Sequence, residues 1–241
     1  MSNVLSLFSG VGMADLAAER VGLPVVAMAE IDKQARGVLR HRFPEVPIFN
    51  DVREVTGHAA RSVGFAGPAG GVVIAGSPCQ DLSVAGKRAG LRGERSGLWW
   101  EVVRILDETQ AEWLVWENVP GALSSHGGRD FGAVLGSLAE LGMGFAWRVL
   151  DAQFFGVPQR RRRVFLVARR ASDGADCAQV LLVGQGVRRH PAPRLEAGTS
   201  PAADAAGSPD GGRLELFGQT GFARWQRGGG VTDVERLRQH H

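Results

Sequence analysis

Two cysteines occur in the chain, and one of them, Cys79, stands where a thiol could react. Lone cysteines are usually buried and inert. Cys79, however, ends Gly76-Ser77-Pro78-Cys79, directly after the apolar run Gly71–Ala75. If that run is a strand, the thiol lies just past its carboxyl end, where open α/β sheets bind ligands. Pro78 restricts the backbone before it, and Gln80–Gly97 follows with Gly86, Gly90, Gly93 and Gly97 among Lys87, Arg88, Arg92 and Arg95. Such a segment can swing and carry cations to phosphates, or it can be a merely solvated loop. Cys177, in the polar stretch ASDGADCAQV, reads as an inert thiol.

A second candidate is Glu117, at the end of the apolar run Trp113–Trp116. A carboxyl ending a buried strand is partly desolvated, which raises its pKa and readies it to donate a proton. A capping or loop carboxylate is the alternative. Gln159 and the four arginines Arg160–Arg163 lead into Val164–Ala168. If the strand pleat extends back, Gln159, Arg161 and Arg163 share one face, and Arg160 and Arg162 the other. One face could enter a site while the other meets a nucleic-acid backbone.

A nucleotide-type site is legible near the N-terminus. Phe8-Ser9-Gly10-Val11-Gly12 follows the run Val4–Phe8, and Glu30 ends the run Val25–Ala29. Glycines let the backbone turn and approach a ligand, and an acid at the second strand's tip can accept from both ribose hydroxyls. A dinucleotide loop would place its third glycine at residue 15, which is Asp15. An acid there repels pyrophosphate and suits a cationic ligand such as S-adenosylmethionine.

The elements that must position these residues alternate. Strands are predicted at Val4–Phe8, Val25–Ala29, Gly71–Ala75, Trp113–Trp116, Phe145–Leu150 and Arg163–Ala168. Helices are predicted around Asp15–Arg20, Lys33–Arg42, Leu98–Leu106 and Phe131–Leu141. This order predicts an α/β fold with a mostly parallel, doubly wound sheet and a late antiparallel strand. After about Arg170 the pattern fails, and 190–212 reads as a linker or disordered segment. Residues 1–157 carry 14 Lys+Arg against 17 Asp+Glu, a net of −3; residues 158–241 carry 14 against 8, a net of +6. The basic second part fits a polyanionic partner or an arginine-rich composition. Apolar runs are too short to span a membrane, no signal peptide is visible, and two cysteines fit a reducing cytoplasm.

Taken together, the motifs resemble the DNA cytosine-5 methyltransferase family, in that family's order, over about residues 3–170. Phe8–Gly12 resembles its first motif, Glu30-Ile31-Asp32 the second and Asn50-Asp51-Val52 the third. Gly76–Gln80 resembles the nucleophile motif, Arg95–Glu101 the fifth, Glu117-Asn118-Val119 the sixth and Gln159-x-Arg161-x-Arg163 the eighth. The resemblance implies a Rossmann-like fold, S-adenosylmethionine as cofactor and double-stranded DNA as partner, with the target base flipped out. It implies Cys79 as nucleophile at cytosine C6, Glu117 as the acid at N3, and Arg161 and Arg163 holding base, nucleophile or phosphate. Phe8, Ser9, Gly10, Gly12, Glu30, Ile31, Asp51, Pro78 and Leu98 would hold the cofactor. Gln80, Ser83, Lys87, Arg88, Arg92 and Gln159 would meet DNA; no metal is implied.

Met13 stands where the family usually has a further glycine, and Ser77 where many relatives carry Phe. The ninth and terminal motifs are not found. Residues 1–170 are therefore expected to form the catalytic and cofactor-binding domain, and 171–241 a linker with a reduced, partly disordered recognition region. A split enzyme completed by a second polypeptide, a truncated subunit with little activity alone, and a tRNA-modifying enzyme are the alternatives. A restriction-modification context fits the resemblance.

Overall fold

The computed structural model describes residues 1–78, 97–182, 213–217 and 222–226. Nine strands form one sheet: β1 (Asn3–Leu7), β2 (Val25–Ala29), β3 (Ile48–Phe49), β4 (Gly71–Ala75), β5 (Trp113–Asn118), β6 (Met143–Asp151), β7 (Arg162–Arg170), β8 (Arg213–Phe217) and β9 (Phe222–Gln226). Their order is β3-β2-β1-β4-β5-β7-β6-β9-β8. The first five in that order pair in parallel, and β7 pairs antiparallel with both β5 and β6. This is the mixed, Rossmann-like sheet expected of the sequence. The chain passes from β1 outward to β2 on one side and from β4 outward to β5 on the other, so the connections leave in opposite directions. The crevice of such a sheet opens above the carboxyl ends of the neighbours β1 and β4.

Apolar residues on both faces of the central strands explain their burial between layers. On one face, Leu5, Leu7, Val73, Ala75, Leu114 and Trp116 join α3 (Gly57–Ser62), α4 (Leu98–Thr109) and α5 (Arg129–Glu140) in the larger core. On the other, Val4, Val25, Met28 and Val72 pack with Ala18 of α1 (Met13–Arg20) and with Leu39 and Phe43, in and just after α2 (Lys33–Arg42). Asp32 caps α2 by accepting from Ala35 N at 2.7 Å.

The helical pattern does not stop at Arg170. Helix α6 (Ala175–Leu182) packs Cys177 against Ala146 and Val167. Glycine is required at 144, because a Cβ there would collide with the backbone of Ser172 and Gly174. Arg169 bonds both Glu112 (2.9 Å) and Asp176 (2.6 Å) and lies 4.9 Å above the Trp113 ring. Burial, aided by the adjacent Asp176 charge, pushes the Cys177 thiol up to about 12, which fits its reading as inert. The segment 190–212 lies outside the described residues. Among the described residues, no helix is long and apolar enough to cross a membrane, and no cluster of His, Cys, Asp and Glu could hold a metal.

Candidate active site

The turn after β1 is built from backbone strain and short hydrogen bonds. Phe8 adopts φ 58°, a left-handed conformation that a bulky residue occupies only when its surroundings hold it there. Ser9 N donates to Ala29 O at 3.1 Å, and Gly12 N donates to Ser9 O at 2.9 Å. Gly10 N donates to Glu30 Oε2 at 2.7 Å, while Glu30 Oε1 accepts from Asp32 N at 2.8 Å. Glu30 therefore stands at the tip of β2 as expected, and its carboxylate already ties two loops together. Each oxygen keeps a further lone pair for a ligand hydroxyl. Arg36 fixes the same loop by donating to Glu30 O (2.9 Å) and Ile31 O (2.5 Å).

The two glycines of the turn do different things. Gly10 has φ +56° and open space where a Cβ would be, so it presents bare backbone to the crevice. Gly12 has φ +82°, and a Cβ there would meet Phe43 at 2.7 Å and Leu39 at 2.8 Å. Among the described atoms, Gly12 lets α1 pack closely on the α2 side chains. Ile31 is 70% exposed beside this turn. Asp51 begins a 3-10 turn by accepting from Arg53 N, and pairs with the Arg53 guanidinium at 3.0 Å.

One residue in this region was not legible as buried. Asp15, in the first turn of α1, has no exposed surface, and neither carboxyl oxygen has a hydrogen-bond partner. Burial pushes its pKa up; the Ser6 hydroxyl and its own N–H act against this, and Glu19 adds to it. Ser6 is itself buried and shares a 2.9 Å hydrogen bond with Ser9. An acid in a first helical turn ordinarily reads as a solvated partner of the helix dipole, so only the packing of α1 on β1 reveals it.

Strand β4 delivers Gly76-Ser77-Pro78 to the crevice. Ser77 is buried and held by two atoms: Oγ accepts from Trp116 Nε1 at 3.0 Å, and its carbonyl accepts from Asn118 Nδ2 at 2.9 Å. Trp116 and Asn118 lie two apart on β5 and so share a face. Pro78 is exposed, and Leu98 opens α4 against the larger core. Cys79, Gln80, Ser83, Lys87, Arg88 and Arg92 lie outside the described residues.

Glu117 faces the arginines. Arg163 Nε lies 2.9 Å from Glu117 Oε1 and Arg161 makes a further contact at 3.5 Å, so these two arginines share the acid as the alternation implied. Register explains it: Glu117 pairs with Phe165 across the β5–β7 ladder, placing Arg163 one pleat repeat away. Glu117 is not a buried acid here. Its side chain is 35% exposed and charge-paired, because β5 ends at the open rim of the sheet. Gln159, Arg160 and Arg162 are exposed.

Gly76 joins the two halves. A Cβ at Gly76 would sit 3.9 Å from Glu117 Oε2 and 3.9 Å from Phe8 O. The turn after β1 and the acid near the end of β5 thus lie on either side of the residue three before Cys79, within twice that distance of one another.

A family model described as C-5 cytosine-specific DNA methylase matches residues 2–198. The chain belongs to that family. Type II methyltransferase M2.BsuMI of Bacillus subtilis is 37% identical over 177 residues, covering 72% of this chain and 43% of that protein. A protein of Escherichia phage P1 described as a DNA N-6-adenine-methyltransferase is 34% identical over 239 residues, covering 78% of this chain and 31% of its own length. Among solved structures, a putative DNA modification methyltransferase encoded within an E. coli prophage aligns with TM-score 0.58 and 25% identity over 70% of this chain and 47% of that one. S. pombe Dnmt2 aligns with TM-score 0.59 at 19% identity, over 78% and 59%, a likeness of fold. The chain spans less than half the length of these two curated relatives.

Proposed function

We propose that this chain transfers a methyl group from S-adenosylmethionine to C5 of cytosine in double-stranded DNA, through a covalent Cys79 adduct. The observation that carries the reading is the meeting of Phe8 O and Glu117 Oε2 across Gly76, beside the strand end that leads to Cys79. S-adenosylmethionine supplies an electrophilic methyl group when bound. The bare backbone at Gly10, the carboxylate of Glu30 and the exposed Ile31 fit its adenosine half. Asp51, Phe8, Ser9, Gly12, Pro78 and Leu98 would complete the set of residues that hold it.

Cytosine C5 is a weak nucleophile, so the ring needs activation. The Cys79 thiolate adds to C6 and the ring electron pair moves to C5, supported by Glu117 at N3. Arg163 and Arg161 hold Glu117 and the base oxygen on the same side. After C5 takes the methyl group, loss of the C5 proton and elimination of Cys79 restore the aromatic ring. The atom attacked is inaccessible inside a stacked duplex, so the base flips out. Arg160, Arg162 and Gln159, all exposed, with the cations of the segment after Cys79, meet the DNA backbone. A second polypeptide supplying the ninth and terminal motifs belongs to the same proposal.

The test uses a duplex carrying 5-fluorocytosine, with the chain in excess and S-adenosylmethionine present. Fluorine cannot leave as the proton does, so a denaturant-stable protein–DNA adduct forms. Cys79→Ser abolishes it. An adduct mapped to Cys177, or one retained in Cys79→Ser, overturns the proposal.

A further inference from the structure

Trp116 occupies a position that the reaction itself does not explain. On one side, its indole Nε1 donates to Ser77 Oγ at 3.0 Å, two residues before Cys79. On another, Trp99 meets its ring edge-on, with centroids 5.6 Å apart and planes at 70°. Trp99 is the second residue of α4, directly after the segment 79–96. The two flanks of the segment that carries Cys79 therefore converge on one side chain. Ser77, Trp99 and Trp116 are each buried.

Trp116 is itself held by the core. Phe131 of α5 stacks on it at 6.3 Å, and Trp147 of β6 meets Phe131 edge-on at 5.4 Å. Trp99 Nε1 donates to Ser137 Oγ at 3.1 Å, tying α4 to α5. Packing alone does not require an indole at 116, since an aromatic hydrocarbon of similar shape buries as well and needs no acceptor. The N–H adds one directed bond, and it goes to the residue before Pro78. With Asn118 holding the carbonyl of the same residue, Ser77 is fixed at two atoms.

We propose that Trp116, through Ser77 Oγ, is a positioning residue that fixes the chain just past β4, two residues before Cys79. The proposal rests on the reading of Cys79 as the nucleophile. Trp116 touches neither substrate nor cofactor in this scheme; it holds Ser77, from which the chain runs through Pro78 to the nucleophile. Releasing the anchor has opposite consequences for two reactions. Attack from a fixed geometry slows, because the productive orientation is held for less of the time. Attack by a small reagent from solution quickens, because more orientations reach bulk solvent.

The experiment compares the full chain with Trp116→Phe, Ser77→Ala and the double substitution. Alkylation by iodoacetamide is followed at Cys79 and at Cys177 in the same sample by peptide mass spectrometry. Methyl transfer to DNA is measured in parallel as kcat and KM. Both single substitutions are expected to raise Cys79 alkylation at least threefold and leave Cys177 unchanged. They are expected to lower kcat about five- to tenfold, the range that one hydrogen bond supplies, with both KM values kept within about twofold. The double substitution is expected to match the single ones, since one bond is lost in each case. Cys79 alkylation unchanged in both single variants overturns the inference. So does a rise at Cys177 in step with Cys79, which marks general loosening of the fold. Absence of methyl transfer by the unsubstituted chain counts against the proposed function instead, and the alkylation comparison still decides the positioning role.

Discussion

Replacing Asp15 by Asn tests the physics beneath the cofactor turn. The Asp15 carboxyl is fully buried, and both oxygens lack hydrogen-bond partners. Burial raises its pKa above the ordinary 3.8, and Glu19, one turn on, adds like-charge repulsion. A group whose pKa is raised on folding binds its proton more tightly in the folded state. Its contribution to stability is present in full below the ordinary carboxylate range, and is lost as pH rises from 3.8 through the raised value. Asp176 behaves oppositely. Although desolvation opposes it, hydrogen bonds from Ser172, Arg169 and the Cys177 amide bring it to about 2, so its contribution is lost only as pH falls toward that value. The Asp15→Asn substitution removes the first titration and leaves the second. A free-energy difference of 1 kcal/mol moves Tm by roughly 2–4 °C in a chain of this size. Thermal unfolding of both proteins between about pH 4 and pH 8 is the assay. The Tm of the Asn variant relative to the parent is expected to climb with pH across the interval, by at least the roughly 2–4 °C that 1 kcal/mol produces. Parallel curves, or a variant that loses ground as pH rises, would refute the reasoning. Either would mean that Asp15 is ionised and well partnered.

Three further outcomes rest on particular contacts. Glu30→Ala frees the Gly10 amide and removes a ribose acceptor; S-adenosylmethionine affinity by calorimetry falls by about 1–3 kcal/mol, and an unchanged Kd removes Glu30 from the site. Gly12→Ala places a Cβ 2.7 Å from Phe43 with φ at +82°, so denaturant unfolding registers a loss of at least about 2 kcal/mol; a loss under half of that shows that α2 yields. Gly76→Ala meets Glu117 and Phe8 only at ordinary van der Waals distance, so Tm stays within about 2 °C while methyl transfer falls more than tenfold; retained transfer means that the crevice at Gly76 is not the reaction path.

Much of this architecture is legible in the residues because strands announce themselves by apolar runs and sites by the residues at the ends of those runs. Phe8–Gly12, Glu30, Ser77 and Glu117 all sit at strand ends, and the pleat alone puts Arg161 and Arg163 on one face; that this face meets Glu117 depends on the β5–β7 register, which no local pattern carries. The features that stayed hidden depend on contacts between distant segments. Helix α6 escapes because Ala175–Leu182 is short and follows a polar stretch, and because its place depends on Cys177 packing and the Arg169–Asp176 pair. Gly12 resembles a ligand-turn glycine, yet the side chains that forbid a Cβ lie on and just after α2, at Leu39 and Phe43. Glu117 was expected to be desolvated because its strand is apolar, but the strand ends at an open rim where two arginines reach it. Asp15 is buried by a neighbouring layer that no local pattern encodes.

The central claim is methyl transfer to carbon 5 of cytosine. It is tested most directly by incubating excess chain with duplex DNA and S-adenosylmethionine labelled in the methyl group, then digesting the DNA to nucleosides for mass spectrometry. Label is expected in 5-methyldeoxycytidine alone, with none in the Cys79→Ser or Glu117→Ala variants. Label in N6-methyldeoxyadenosine, or undiminished 5-methyldeoxycytidine in the Cys79→Ser variant, would contradict it.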